Sequence, residues 1–289
     1  MSKLTRYIKR GFYYILNGQP KVIVTPKIIT LAPNELLQGR LALITGGTSG
    51  IGKSIAIAFL SAGANVIITS RSLERALSVA SELNNSYPQR SVIGIAMDNT
   101  NVLKIKETVD QLASEYKEID ILVNNAGVGE GFWGRTTEDE YDKVMDTNLK
   151  GVFFLTEYIA RYMKENKIRG NILNICSSAS LRPANTAYRL SKWALRGFTE
   201  GIAKTLIKYD IVVNGIAPGP TATPLFGYEN LDDIAKLENP NGRYAAPEEI
   251  ANMAVIYVSE MGRTIVGDIA FMTGGAGNLT YDDKQDYSF

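Results

Sequence analysis

A regular alternation of short apolar runs and helical stretches begins at about residue 41 and continues almost to the end of the chain. Short apolar runs bounded by turn residues are typical of buried parallel strands, and the stretches between them have helical periodicity. The runs are RLALITGG, NVIITS, SVIGIAM, DILVNNAG, GNILNIC, IVVNGIAPG and GDIAFM. We therefore predict an α/β fold with a doubly wound parallel seven-stranded sheet and helices on both faces.

The composition excludes several classes of chemistry. The chain of 289 residues contains no histidine and a single cysteine, Cys176. Ser-His-Asp and Cys-His mechanisms are therefore absent, and we predict no metal site because zinc ligands are missing. The net charge of +1 creates no field that attracts nucleic acid, so we expect no such partner. A lone cysteine is typical of a reducing compartment, which predicts a cytoplasmic protein.

The segment TGGTSGIG, residues 45–52, follows the first predicted strand and opens a helix. Gly46, Gly50 and Gly52 permit a tight turn, the approach of a pyrophosphate to the backbone, and close packing of helix on strand. The helix N-terminus also presents free N–H groups to an anion. A plain structural turn is the alternative, but the strand before and the helix after favour a Rossmann-type dinucleotide site.

The segment YRLSK places Tyr188 and Lys192 on one face of a predicted helix. The alternative is an ordinary surface pair with a solvated lysine. In a chain without histidine, however, a tyrosine is a candidate proton donor. A cation about 4 Å from a phenolate stabilises it by roughly 4 kcal/mol at an effective dielectric constant of about 20. The pair is therefore a candidate acid–base centre.

With these motifs the sequence resembles the short-chain dehydrogenase/reductase family, in its non-extended single-domain branch, over roughly residues 39–275. The segments TGGTSGIG, NNAG, TNLKG, NICS, YRLSK, NGIAPG and PTAT follow one another in the family's order. The resemblance implies hydride transfer from a nicotinamide, the cofactor supplying the reactive group while the protein orients and polarises. Among its members, the 3-oxoacyl-type reductases are the nearest comparison.

The resemblance also implies a catalytic set of Asn148, Ser177, Tyr188 and Lys192. Tyr188 would be the general acid and base, Ser177 would hydrogen-bond the substrate oxygen, and Asn148 would hold a water behind Lys192. Ser177 and Tyr188 are 11 positions apart, closer than is common in the family, and this shortened loop lies beside the expected substrate pocket. The neighbouring Ser178 and Ser180 remain alternatives to Ser177.

The same resemblance implies a cofactor site along one edge of the sheet. Its predicted residues are Gly46, Thr48, Ser49, Gly50, Ile51, Gly52, Ser70, Arg71, Asp98, Asn125, Ala126, Gly127, Pro218, Gly219, Thr221 and Thr223, together with Tyr188 and Lys192. Relatives that prefer NAD usually carry an aspartate where this chain has Ser70. Arg71 can bind a 2′-phosphate, so we predict NADP (NADPH) with NAD less favoured, although Arg71 can also be a solvated loop residue. Asp98 would face the adenine edge.

These expectations combine into an NADP-dependent oxidoreductase that acts on a ketone or secondary alcohol. The alternatives are a sugar or polyol dehydrogenase using NAD and a non-catalytic NADP-binding scaffold. The segment 221–242 is expected to be a lid over the substrate, with apolar walls from Phe132, Trp133, Phe226 and Tyr228. By analogy with the family we expect a homo-oligomer, either a dimer or a tetramer.

Residues 1–38 do not follow the alternating pattern, and we treat them as an N-terminal extension to a single catalytic domain, residues 39–289. The segment MSKLTRYIKRGFYYILNG predicts a basic amphipathic helix. Its apolar positions are Leu4, Ile8, Phe12 and Ile15, and its basic positions are Lys3, Arg6, Lys9 and Arg10. The helix is too short and too charged to span a bilayer. We favour packing on its own domain or on a partner subunit over peripheral contact with an anionic membrane surface.

Overall fold

The computed structural model describes residues 23–25, 34–116, 118–129, 132–224, 227–228 and 231–277. In this part of the chain, seven parallel strands form one sheet in the order β3-β2-β1-β4-β5-β6-β7. The strands are β1 (Leu41–Ile44), β2 (Asn65–Ser70), β3 (Val92–Ala96), β4 (Ile121–Asn124), β5 (Asn171–Ile175), β6 (Val212–Pro218) and β7 (Ile269–Met272). Each strand coincides with one of the apolar runs, and the predicted doubly wound parallel sheet is confirmed.

Helices connect the strands. They are α1 (Gly50–Ser61), α2 (Leu73–Ser86), α3 (Val102–Glu115), α4 (Glu138–Met145), α5 (Gly151–Glu165), α6 (Ala187–Leu206) and α7 (Pro247–Val258). The helical stretch 138–165 is interrupted between α4 and α5 by one π turn, Asp146–Lys150. A π turn of this kind is rare and occurs mostly as a single turn within an α-helix, frequently at functional sites.

The two faces of the sheet carry separate cores because successive strand side chains point in opposite directions. Ala42 and Ile44 of β1 pack with α1 and α7, whereas Leu43, between them, packs with α3 and α5. The helices on both faces thereby bury the strands completely in the middle of the sheet. Burial on both faces also explains why the strand sequences are continuous apolar runs rather than alternating ones.

The strand order reverses direction between β1 and β4, since β2 and β3 lie on one side of β1 and β4 to β7 on the other. In open parallel sheets a crevice forms beyond the carboxyl ends of the strands at such a switch point, and ligands bind there. The glycine turn follows β1, and the NNAG segment begins with the last residue of β4. The fold therefore brings both motifs to the same crevice.

Part of the N-terminal extension is described. Leu37 is fully buried against the α1 side of the core, and its N–H donates to the Ala62 carbonyl at 2.8 Å. The predicted basic amphipathic helix lies outside the described residues. No helix in the described ranges has both the length and the apolar character required to cross a membrane.

Candidate active site

The glycine turn closes tightly because two of its glycines have no room for a side chain. Gly46 has φ of 64°, in the left-handed region that favours glycine. A Cβ atom on Gly52 would lie 2.4 Å from both Asn125 Nδ2 and the Gly46 carbonyl oxygen. The turn therefore lies directly against the end of β4, and neither glycine can be replaced without displacing it.

The N-terminus of α1 is open to an anion. Ser49 is the N-cap residue, but its side chain makes no capping hydrogen bond, and the first turn of the helix contains no acidic residue. The free N–H groups and the positive end of the helix dipole thus face the crevice without a competing carboxylate. Thr48, Gly50 and Ile51 flank this N-terminus. This arrangement fits the pyrophosphate of a dinucleotide, and it makes the crevice at the glycine turn the candidate cofactor site.

Asn125 and Ala126 connect β4 to the glycine turn through Thr45. The Thr45 hydroxyl accepts the N–H groups of Asn125 at 2.9 Å and Ala126 at 3.0 Å. Asn125 Nδ2 in turn donates to the carbonyls of Thr45 at 2.9 Å and Gly46 at 3.2 Å. Thr45 was not among the residues predicted from the sequence. Its position directly after the first strand, next to the glycine turn, could have identified it as a residue that positions the turn. It positions the turn rather than contacting the expected cofactor.

Tyr188 and Lys192 lie on the first two turns of α6, as their spacing predicts. Thr186 caps this helix by accepting the Arg189 N–H at 3.1 Å, which places Tyr188 at its N-terminal end. The Lys192 Nζ atom lies 5.8 Å from the centre of the Tyr188 ring. Lys192 is only 5% exposed, and its Nζ donates to the Ile175 carbonyl at 2.9 Å. The ammonium is therefore held beside the tyrosine, at the end of β5.

Asn148 lies in the π turn and is 1% exposed. Its Oδ1 accepts the Val128 N–H at 2.8 Å, and its Nδ2 donates to the Val128 carbonyl at 2.8 Å and to Ser191 Oγ at 3.1 Å. Both amide hydrogens are thus in use. A Cβ on Gly127 would lie 3.3 Å from Asn148 Oδ1 and 3.8 Å from Lys192 Nζ. The structure brings Asn148 and Lys192 to the same glycine, as the predicted relay requires.

Ser177 lies two residues after the end of β5 and caps a short 3-10 helix, Ser178–Leu181, accepting the Ala179 N–H at 3.1 Å. A hydroxyl that accepts one bond can still donate its own hydrogen, so Ser177 remains able to polarise a carbonyl oxygen. The Ser180 hydroxyl instead donates to the Ser177 carbonyl at 2.8 Å and is fully buried. This engagement makes Ser180 the weaker alternative, whereas Ser178, the first residue of the 3-10 helix, is buried to a similar degree as Ser177 and stays an alternative.

The predicted adenosine side lies at the ends of β2 and β3. Ser70 is the last residue of β2, and its hydroxyl accepts the Ser72 N–H at 3.3 Å. Arg71 is exposed and, within the described residues, forms neither a hydrogen bond nor an ion pair. Asp98 Oδ1 accepts the N–H and hydroxyl of Thr100, both at 2.9 Å. Arg71 is thus a cation at the crevice edge that no described carboxylate neutralises.

The loop after β6 reaches back to the glycine turn. Pro218 ends β6, and the Gly219 N–H donates to the Met272 carbonyl at 2.9 Å. A Cβ on Gly219 would lie 2.7 Å from the Thr273 Cα, so this position requires glycine. Thr221 and Thr223 are both buried, and the Thr223 side chain lies 3.4 Å from the place of a Cβ on Gly50. The loop after β6 therefore lies against the glycine turn, so these two segments of the predicted cofactor site are in contact.

A chain of buried polar side chains crosses the sheet beneath the site and was missed from the sequence. Asn124 Nδ2 donates to Thr156 Oγ1 at 2.9 Å and to Asn174 Oδ1 at 2.8 Å. Asn174 Nδ2 continues the chain to Thr199 Oγ1 at 2.8 Å. The chain ties β4 to β5 and both strands to α5 and α6. A buried network of this kind holds its elements in one arrangement because each broken bond leaves a buried group unpaired.

Two of the predicted apolar walls are exposed at the entrance. Phe132 forms an isolated antiparallel bridge with Thr186, the cap of α6, and is 69% exposed, while Trp133 is 89% exposed. Tyr228 packs against Tyr244 with ring centres 5.1 Å apart. Phe226 lies outside the described residues. The aromatic groups that are described thus flank the tyrosine end of α6 and the lid segment.

Residues 40–233 match the family model of the short chain dehydrogenases. The chain is 35% identical over 244 residues to the 3-oxoacyl-[acyl-carrier-protein] reductase of Aquifex aeolicus, covering 83% of this chain and 98% of that relative. It is 32% identical over 247 residues to a 3alpha-hydroxysteroid dehydrogenase of Mediterraneibacter gnavus, covering 83% and 98%. The family predicted from the motifs is therefore confirmed.

Among solved structures, the chain is similar to a putative NAD(P)-dependent gluconate 5-dehydrogenase from Beutenbergia cavernae with bound NADP. The TM-score is 0.76 at 28% sequence identity, covering 84% of this chain and 98% of that chain.

Proposed function

The chain belongs to the short-chain dehydrogenase family and is an oxidoreductase acting on CH–OH or C=O groups, and we propose that it reduces a ketone with NADPH, using Tyr188 as the general acid. In the reverse direction Tyr188 would accept the proton of a secondary alcohol. The nicotinamide would supply or accept the hydride, held by the glycine turn and the loop after β6. The protein's own residues position the substrate oxygen and move the proton.

The environment of Lys192 carries this proposal. Lys192 is 5% exposed and forms no ion pair with any described residue, its partner being the neutral Ile175 carbonyl. Burying an uncompensated charge is costly, so a purely structural side chain at this position would be apolar. The cost is understandable if the ammonium stabilises a tyrosinate beside it and donates its remaining hydrogens to ribose hydroxyls. A non-catalytic scaffold could use the ribose contact but would have no tyrosinate to stabilise.

In the proposed step, the substrate carbonyl oxygen accepts hydrogen bonds from the hydroxyls of Tyr188 and Ser177. Tyr188 would give its proton to that oxygen as the carbonyl is reduced. The phenolate left behind is stabilised by Lys192. Reprotonation then requires a path past Lys192 toward Asn148. Because both Asn148 amide hydrogens are used, a water there would donate to Asn148 Oδ1 or to a backbone carbonyl.

The preference for NADPH is supported by the absence of a carboxylate at Ser70 and by the unpaired Arg71. The exposed Phe132 and Trp133 support an apolar carbonyl substrate over a sugar or polyol, because aromatic surface beside the site favours apolar ligands. The solved relative that binds NADP is in accord with this choice. The NAD-dependent polyol dehydrogenase and the non-catalytic scaffold are the alternatives that the experiment must exclude.

We also propose a cytoplasmic homo-oligomer. An apolar groove between α5 and α6 is lined by Phe153, Phe198 and Ile202, and Phe153 is 45% exposed. An exposed apolar groove between two long helices can serve as part of a subunit interface. Sedimentation of Phe153→Asp should show smaller particles than the parent protein, and unchanged particle size would exclude this face as the interface.

The test of the activity measures NADPH oxidation and, separately, NADH oxidation with acyl thioesters, steroids, quinones and ketoses as substrates. With any accepted substrate, Tyr188→Phe should lower turnover by at least about 100-fold, the usual contribution of a positioned acid, while NADPH affinity changes little. Tyr209→Phe is the control, because Tyr209 lies at the opposite end of α6. Near-native turnover in Tyr188→Phe would refute the catalytic assignment. Activity confined to ketoses with NADH would favour the polyol dehydrogenase, and binding of NADPH without any turnover would favour the scaffold.

A further inference from the structure

Residues 23–25 of the N-terminal extension, which we term the strap, contact the lid segment more than 200 positions away in the chain. The Ile234 N–H donates to the Val24 carbonyl at 3.0 Å. In return, the Val24 N–H donates to Asp233 Oδ1 at 3.2 Å, and Thr25 Oγ1 donates to the Asp232 carbonyl at 3.2 Å. The strap thus adds a short strand-like segment to the outer edge of the lid.

The lid segment behind the strap is a hairpin, residues 234–245, which we term the lid hairpin. The Tyr244 N–H donates to the Ile234 carbonyl at 2.9 Å, and the Lys236 N–H donates to the Gly242 carbonyl at 2.9 Å. The bridge between Ala235 and Arg243 is antiparallel. The strap and the two arms of the hairpin therefore lie side by side in the order strap, Ile234 arm, Tyr244 arm.

The inner arm of the lid hairpin is bonded to the loop after β6. The Ala245 N–H donates to the Pro220 carbonyl at 2.9 Å, and the Ala222 N–H donates to the Ala245 carbonyl at 2.9 Å. Thr221 lies between these two contacts, and Thr223 follows directly. A continuous backbone ladder thus runs from Val24 through Ile234 and the inner arm to the two threonines of the predicted cofactor site.

The two edges of the lid hairpin are anchored differently. The inner arm is fixed to α7 by Arg243, whose guanidinium forms two bonds of 2.7 and 2.8 Å with the Glu249 carboxylate. The outer arm is held by its hydrogen bonds to the strap. Ile234 is fully buried, so without the Val24 carbonyl its N–H would be a buried donor with no acceptor, an arrangement that folded proteins avoid. The strap completes the outer edge in the way that an added strand completes an open sheet.

We propose that the strap is a positioning element for the active site, holding the lid hairpin so that Thr221 and Thr223 are presented to the cofactor. This inference rests on the proposed function for the identity of the ligand, but the contacts that carry it belong to the protein alone. The N-terminal extension then contributes to the geometry of the cofactor site. Releasing the strap would loosen the outer arm first, then the inner arm, and through Ala245 the loop that carries the threonines.

The test uses the full-length chain with Val24→Pro, which removes the Val24 N–H that donates to Asp233 and restricts the strap backbone on both sides, so that the Val24 carbonyl should no longer meet the Ile234 N–H. Val24→Ala is the matched control because it keeps both backbone groups. Amide hydrogen exchange in the protein without cofactor should accelerate at least about 10-fold at Ile234, Tyr244 and Ala222 in Val24→Pro, because opening this region becomes easier. Exchange at the β1 amides should be unchanged in both variants.

The second measurement is NADPH affinity by fluorescence titration. Val24→Pro should weaken binding about 5-fold, which is the loss expected from one backbone hydrogen bond, whereas Val24→Ala should bind as the parent does. A milder pair, Thr25→Val and Thr25→Ser, removes or keeps only the hydroxyl donor. Thr25→Val should show a smaller loss of NADPH affinity than Val24→Pro, and Thr25→Ser should show none. This pair replaces Val24→Pro as the test if that variant does not fold.

The outcomes separate the strap from the proposed activity. Unchanged exchange at Ile234 and Tyr244 in Val24→Pro would overturn the proposal. Faster exchange at these two amides would also overturn it if exchange at Ala222 and NADPH affinity both stayed unchanged. If the parent protein neither binds NADPH nor reduces any carbonyl, the proposed function fails. Exchange at Ala222 would still decide whether the strap controls the loop after β6.

Discussion

The Nζ atom of Lys192 lies 2.9 Å from the carbonyl oxygen of Ile175, the last residue of β5. This contact attaches a helix side chain to the end of a strand, at the edge where the predicted cofactor site lies. The acceptor is neutral, so it orients the ammonium without cancelling its charge. The charge therefore remains available to a phenolate or to an electron-rich ligand.

Replacing Lys192 should reduce activity without reducing the stability of the fold. Lys192→Met should lower turnover by at least about 100-fold and NADPH affinity by about 10-fold or more, because hydrogen bonds to charged groups are worth roughly 1.5–3 kcal/mol. The melting temperature should nevertheless stay the same or rise, since an uncompensated buried charge has been removed. Lys204→Met, at an exposed position of the same helix, should change none of these quantities. A large loss of stability in Lys192→Met would show that the lysine is structural.

Adding a methyl group at Gly52 should damage the cofactor site. Its Cβ would lie 2.4 Å from Asn125 Nδ2 and the Gly46 carbonyl, and overpacking of this kind costs about 1–3 kcal/mol. Gly52→Ala should therefore lower the melting temperature and weaken NADPH binding at least about 10-fold by fluorescence titration, a loss of about 1.4 kcal/mol. Gly197→Ala in α6 meets no atom within 4 Å and should not lower the melting temperature. Equal behaviour of the two variants would contradict the close packing of turn and strand.

Arg71 should determine the preference between the two nicotinamide cofactors. Arg71→Ala should weaken NADPH binding by about 10- to 100-fold while leaving NADH affinity unchanged, because only NADPH carries the phosphate. Arg75→Ala, a nearby exposed arginine on α2, is the control. Titrations of both cofactors against the three proteins provide the measurement. Equal affinities for NADPH and NADH in the parent protein would refute the NADP assignment.

Cys176 should be unreactive in the native protein. Burial raises the pKa of its thiol to about 11. The thiolate fraction at pH 8.5 should then be about 100-fold smaller than in the unfolded chain, and the thiolate is the reactive form. Alkylation by iodoacetamide, followed by mass spectrometry, should be slower by at least that factor in the native state than in denaturing urea. Similar rates in the two states would mean that the thiol is accessible.

The same shift has a consequence for stability. Because the pKa of the Cys176 thiol is higher in the folded state, the folded protein holds this proton more tightly. The stabilisation is fully present below the ordinary thiol range and is lost as the pH rises toward about 11. Cys176→Ala should therefore show a smaller loss of melting temperature than the parent protein between neutral and alkaline pH. An identical loss would mean that other groups determine the alkaline limit.

Local pattern in the sequence determined the sheet, the glycine turn and the joint placement of Tyr188 and Lys192. Strands buried on both faces must be apolar throughout, and residues four apart on a helix must share a face, so these features follow from spacing alone. The glycine pattern identified the crevice because only glycine permits so close an approach of turn and strand.

Only the tertiary structure decided that Asn148 lies in a π turn bonded to Val128 and that Ser180 is engaged while Ser177 can still donate. It also showed that Lys192 is buried with no counter-charge among the residues that the structure describes. It alone joined Val24 to Ile234, although the β-branched run VIVT before Pro26 was a strand signal. These features depend on which distant segments the fold brings together. Such contacts leave no period in the sequence, because the partners of a buried hydrogen bond or charge are fixed by packing across the whole domain rather than by neighbours in the chain.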